Sequence, residues 1–208
     1  MSPPDRDAPL RTPTPKNEDA AGDTFAVDAT EDWGAFAGLP GHPLMWVLIV
    51  SELLVFGAAL LAFAGIRIAN PVEFLQSQDQ LNRLAGAINT MVLLTSGLFA
   101  AQAVHSTSIK AIRVRLTLAI MLGFVFLGVK SVEYTQEIVA GYDILTNNFF
   151  TLFYLITGFH ALHVVLGIII LVIVAVYPSR ANVETGTVFW HMADLVWLLI
   201  FPVLYLIR

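Results

Sequence analysis

"FFTLFYLITGFHALHVVLGIIILVIVAVY", residues 149 to 177, decides the fold class. A helix needs about 20 apolar residues to cross a hydrocarbon core of about 30 Å, and this run of uninterrupted hydrophobicity exceeds that length. It carries no charged residue, and its only ionisable groups are His160, His163 and tyrosine hydroxyls. A soluble core helix is shorter and keeps a polar face, so a membrane span is the reading. The run is long enough to tilt or to project beyond the bilayer.

Working outward, four further segments qualify, giving spans at about 43–66, 84–105, 112–134, 149–177 and 188–207. Of the 208 residues, 57% are hydrophobic and 13% charged, and the mean hydropathy is +0.73. The five runs consume most of the chain and leave no room for a second folded domain. Breaks between them agree: "RIANPVEF" after the first, "VAGYDILTNN" before the fourth, and Pro178 with Ser179 after it. The third span starts with Arg113 and Arg115, which can snorkel to the interface. The chain thus reads as an all-α, polytopic membrane protein, residues 43–208 forming a bundle of five transmembrane helices.

Residues 1–42 are rich in Pro, Asp, Ala and Thr and hold eight acids against Arg6, Arg11 and Lys16, which accounts for the formal charge of -5. They read as a disordered acidic N-terminal tail without the basic and apolar regions of a signal peptide, so no cleavage is expected. Cysteine is absent, which excludes disulfides, thiolate catalysis and iron–sulfur ligation. No nucleic-acid partner is expected. Basic residues near helix ends favour the N-terminus in the cytoplasm and the C-terminus outside.

An ionisable group at mid-membrane costs on the order of 3 kcal/mol, so each such residue needs a partner or a purpose. Glu52 lies nine residues into the first span, about 13 Å deep at 1.5 Å per residue. A neutral or buffered acid facing the bundle is the expectation there. His160 and His163 share a helix face, and a contact between His163 and Glu52 is geometrically possible. Helix-bridging imidazoles are expected in preference to a metal site, with proton handling second. His191 and Asp194 are again three apart, and Asp194 can accept from the imidazole. Lys130 and Glu133 share a face with Glu137 a turn later, read as an ion pair near the surface. Trp190 suits an interfacial belt, Trp197 is placed deeper, and Pro202 can kink the last helix. Trp46, Trp190, Trp197 and Tyr134 are the candidates for lipid or subunit contact. Small residues in "TSGLFAAQA" and "GFHALHVVLG" allow close backbone approach. A haem would need axial ligands facing one another, and His105 and His191 lie near helix ends at poorly matched depths. For a metal, Glu52 is the only plausible donor beside the His160 and His163 pair.

Taken together, "SELLVF" (51–56), "KSVEY" (130–134), "FYLITGFHALHVVLG" (153–167) and "FWHMADLVWLLIFPVLYL" (189–206) resemble subunit III of the haem–copper oxidases. The likeness covers about residues 40 to 208, in the five-helix form of the family. Met192 and Ala193 stand where the family usually has Phe and Val. "LPGHP" and "LNRLAGAINTMVLLTSG" are similar as well to the subunit III-like proteins of nitric oxide reductase operons. The resemblance implies a subunit with no catalytic residue, bound metal or redox centre of its own. Haem and copper would lie in partner subunits. The chain would pack on subunit I in the bacterial inner membrane, hold phospholipids in a cleft and support sustained oxygen reduction. The family's intramembrane glutamate, associated with proton uptake, maps onto Glu52, its histidines onto His160, His163 and His191, and its last-helix acid onto Asp194. Three alternatives stay open: an accessory protein of nitric oxide reduction, a free-standing membrane cytochrome using His105, His160, His163 and His191, and a small transporter using Glu52.

Overall fold

The computed structural model describes residues 43–207. The acidic tail assigned to 1–42 lies outside the described residues. What is described is helical throughout: α1 (Pro43–Ala69), α2 (Pro71–Gln80), α3 (Arg83–Val104), α4 (Ile109–Val139), α5 (Asn148–Val176) and α6 (Arg180–Phe201). Five of these, all but α2, are long and apolar enough to cross a membrane, and the chain is a multi-pass membrane protein.

The five spans coincide with the apolar runs, but three helices outgrow them. α1 continues to Ala69, α4 runs from Ile109 to Val139, and α6 begins at Arg180 rather than near 188. Hydropathy marks the part of a helix that suits lipid, whereas its ends are set by caps. The Ser179 hydroxyl accepts from the Asn182 amide at 3.1 Å and starts α6 eight residues ahead of the apolar run. Asn82 and Asn147 cap α3 and α5 in the same way, accepting from Ala85 and Phe150. α4 closes at Ala140, followed by Gly141 at φ 92°, a backbone conformation that suits glycine.

The segment read as a break after the first span contains the short helix α2. Pro71 occupies its first position, where the missing N–H costs nothing. Phe74 on this helix meets Phe63 of α1 and Phe149 of α5 in a buried edge-to-face cluster with centroids 5.0 to 5.8 Å apart. The Glu73 carboxylate accepts from the Asn148 amide at 3.0 Å, fixing α2 against the start of α5.

α3, α4, α5 and α6 pack on one another, and α6 is the most enclosed span. α1 packs more thinly against α5 and α6 and leaves most of its surface exposed. The arginines at the start of the third span serve as caps. Arg113 donates to the carbonyls of Ala175 and Val176 at the end of α5, and Arg115 to that of Gln102 and the hydroxyl of Ser106 at the end of α3. Cations at helix C-termini satisfy orphan carbonyls and complement the helix dipole. At the opposite end of the chain, Pro202 brings no N–H, and the last turn opens into a π-type turn, Pro202–Leu206, closed by the Ile207 amide on the Pro202 carbonyl at 2.9 Å. Gln78 of α2 donates to the carbonyls of Leu204 and Ile207, and Arg67 to that of Ile207.

Candidate functional sites within the bundle

The structure brings His163 and Glu52 together. Nε2 lies 3.0 Å from the Glu52 Oε2 atom, on an approach off the line of an ideal hydrogen bond. The Nδ1–H of His163 donates to its own helix, to the Phe159 carbonyl at 2.9 Å. With Nδ1 donating, a neutral His163 turns the Nε2 lone pair toward the Glu52 carboxyl group. Phe56 and Phe159 pack edge-on to the His163 ring at 5.4 and 4.6 Å, closing it from the bundle side. Glu52 keeps 19% of its side-chain surface, so the pair sits at the rim of the α1–α5 contact and not at its centre.

His160 does not join that pair. It is wholly buried, and its Nε2–H donates to the Ala193 carbonyl of α6 at 3.1 Å. Its ring lies among Phe126, Trp197 and Phe56. This imidazole ties α5 to α6. His105 is exposed at the C-terminal cap of α3, remote in chain position from the middle of any span. Among the described residues no three His, Asp or Glu side chains converge as ligands. His160 Nε2 is held by the Ala193 carbonyl and His163 Nδ1 by the Phe159 carbonyl.

Lys130 and Glu133 form an ion pair, but not near the surface. Lys130 is 2% exposed and Glu133 4%. Their Nζ to Oε2 distance is 2.7 Å, and the Tyr205 hydroxyl closes the ring, accepting from Lys130 at 3.0 Å and donating to Glu133 Oε1 at 2.7 Å. The rings of Tyr134 and Phe153 stand 4.9 Å from Nζ, with Trp197 at 5.4 Å. The reading from the sequence placed this pair outside because Lys130 and Glu133 lie near the end of the apolar run. The helix continues past them to Val139, and the π-type turn carries Tyr205 over them. Tyr205 escaped notice; a hydroxyl within "PVLYL" just after a proline was the available signal. Glu137 is also buried, one turn on.

The tryptophans need a second correction. Trp190 is at 0% exposure and Trp197 at 1%, so neither reaches lipid or another subunit. The Trp190 ring fills the gap over two glycines: a Cβ on Gly123 or on Gly167 would come within 2.8 Å of it. Its N–H donates to Ser96 at 3.1 Å, and Trp197 donates to Thr90 at 3.0 Å. Trp190 was expected in an interfacial belt, yet α6 begins ten residues before it, at Arg180, and the indole turns inward. Tyr134 is half-buried and shares a hydrogen bond with Thr157 at 2.7 Å, and Trp46 is half-buried on α1.

His191 and Asp194 face one another, with Nδ1 3.6 Å from Oδ2, a close approach short of a hydrogen bond. Asp194 is buried and His191 is not. Gly97 of α3 gives the carboxylate its room, because a Cβ there would lie 2.2 Å from Oδ2. Gly97→Ala is therefore expected to destabilise the bundle by about 1–3 kcal/mol through overpacking, although alanine is the better helix former. Unfolding in mixed micelles checks this, and an unchanged or raised midpoint would refute it.

The comparisons agree with this architecture. The family model described as cytochrome c oxidase subunit III matches residues 41–207. Cytochrome c oxidase subunit 3 of Thermostichus vulcanus is 30% identical over 91% of this chain and 96% of its own length. The cytochrome bo(3) ubiquinol oxidase subunit 3 of Buchnera aphidicola is 26% identical, covering 78% of this chain and 84% of that one. The haem–copper oxidase subunit I+III of Aeropyrum pernix is 30% identical over 78% of this chain, which spans 22% of that longer protein. A match across nearly the whole described region, on a bundle of five spans with its polar groups turned inward, places the chain in the cytochrome c oxidase subunit III family.

Proposed function

We propose that this chain packs on the catalytic subunit of a respiratory haem–copper oxidase in the bacterial inner membrane, N-terminus in the cytoplasm, holding phospholipid and sustaining proton uptake. Haem and copper chemistry belongs to the partner subunits. This chain's own residues hold the bundle and carry a proton at Glu52 Oε2 and His163 Nε2. One observation carries the reading: the Glu52 carboxyl group and the His163 imidazole approach to 3.0 Å on the thinly packed α1–α5 face. The relative in which subunits I and III are one protein supports the choice of partner.

Purification through this chain in gentle detergent tests it. A haem–copper subunit I is expected to co-purify, with haem in proportion to that subunit. Haem bound to this chain alone would overturn the reading.

Substitutions at Glu52 separate the proton from the fold. In Glu52→Gln the amide still donates to Nε2, so retention and stability are expected to change by less than about 0.5 kcal/mol, while the complex loses activity sooner during sustained turnover. Glu52→Leu leaves Nε2 without a partner and is expected to cost about 1–2 kcal/mol. Equal turnover lifetimes of Glu52→Gln and the unaltered complex would refute a proton role.

A further inference from the structure

We propose that the α3–α6 face centred on His191 docks a transmembrane helix of the catalytic subunit, and that this helix supplies a hydrogen-bond partner to His191 Nε2. The inference rests on the partner proposed above and adds where that partner sits and what it contributes.

Depth is the first argument. His191 and Asp194 lie against Gly97, and Gly97 stands about 5 Å along the axis from the middle of α3 (Arg83–Val104), at 1.5 Å per residue. Yet 42% of the His191 side-chain surface is open, against 8% for Asp194. Among the described residues no hydrogen bond engages its Nε2. The exposed hydroxyls of Ser51, Thr95, Ser131 and Thr135 behave differently, each returning its proton to a carbonyl three or four residues back on its own helix. An imidazole has no such local outlet when its Nδ1 is turned to Asp194.

Chemistry defines what the partner must offer. In either tautomer Nε2 is a polar atom, an N–H donor or a lone-pair acceptor. Acyl tails offer neither a donor nor an acceptor, and lipid headgroups lie beyond the hydrocarbon core. The partner group must therefore come from protein inside the membrane, as a hydroxyl or an amide, either of which can donate or accept.

The surroundings suit a helix. Val188 and Leu195 are exposed on the same face of α6, one turn either side of His191, and exposed Leu94 lies one turn from Gly97 on α3. A second copy of this chain fits less well, because two-fold packing through this face would set one Nε2 against another in the same state.

The test uses the whole complex in its native membrane, with a benzophenone amino acid at Leu195 on this face or at Leu54 on the exposed side of α1. Crosslinks from Leu195 to the haem-bearing subunit are expected. His191→Phe should lower their yield by about fivefold, as loss of one interhelical hydrogen bond entails, and His191→Gln, an amide that can donate or accept, should restore it. Crosslinks from Leu195 to lipid alone or to a second copy would overturn the inference, and so would a His191→Phe yield equal to that of the native histidine. If subunit I co-purifies but is reached only from Leu54, the docking face is wrong and the proposed function stands. If subunit I does not co-purify at all, both fall.

Discussion

Replacing Lys130 with methionine is expected to destabilise the bundle by about 3–5 kcal/mol, the cost of leaving one member of a buried ion pair uncompensated. Glu133 has its two oxygens on Lys130 and Tyr205, inside a wall of aromatic rings. Removing the ammonium leaves a carboxylate with a single donor. The loss should not be additive. Lys130→Met combined with Glu133→Gln removes the charge along with its partner and keeps an acceptor for Tyr205, so it should recover about 2 kcal/mol of the single-variant loss. Unfolding in mixed micelles, read as a double-mutant cycle, measures this. A single-variant cost below about 1 kcal/mol would mean that the network is hydrated and that its burial has been misjudged.

Trp190→Ala is expected to cost about 3–5 kcal/mol, the range of large-to-small substitutions of a buried tryptophan. In a membrane the term is chiefly lost packing, since lipid tails are as apolar as the core. The indole occupies space that Gly123 on α4 and Gly167 on α5 leave open, so neither backbone can close the cavity without a movement of whole helices. Trp190→Phe separates the contributions. It keeps most of the ring but removes the indole N–H that Ser96 accepts, while Ser96 still donates to the Ala119 carbonyl, and should cost about 1 kcal/mol, one net hydrogen bond. If the alanine and phenylalanine variants unfold at the same midpoint, the ring volume is not what holds the three helices.

Much of the architecture was legible beforehand because the lipid solvent imposes a single strong rule. A stretch of apolar residues long enough to cross must be helical, and the runs are separated by proline, glycine and asparagine. The pairing of Glu52 with His163 was legible in part, since residue count gives depth and depth restricts partners. His160 shows where that reasoning stops. It lies on the same helix, three residues away and at nearly the same depth, yet it turns to the Ala193 carbonyl because its direction around α5 faces α6 and not α1.

By itself, the sequence determined the membrane class, the five spans, the residues at mid-depth and the family motifs, all of which depend on local composition and on position along a helix axis. Only the tertiary structure decided which polar groups are inside. Lys130 and Glu133 were read as surface residues and Trp190 as an interfacial one, while all three are buried. The physical reason is that axial position follows from counting residues, whereas azimuth matters only relative to neighbouring helices. Those neighbours are fixed by contacts distant in sequence: Gly123 and Gly167 under Trp190, and Tyr205 closing over Lys130 from a turn that exists because Pro202 lacks an N–H.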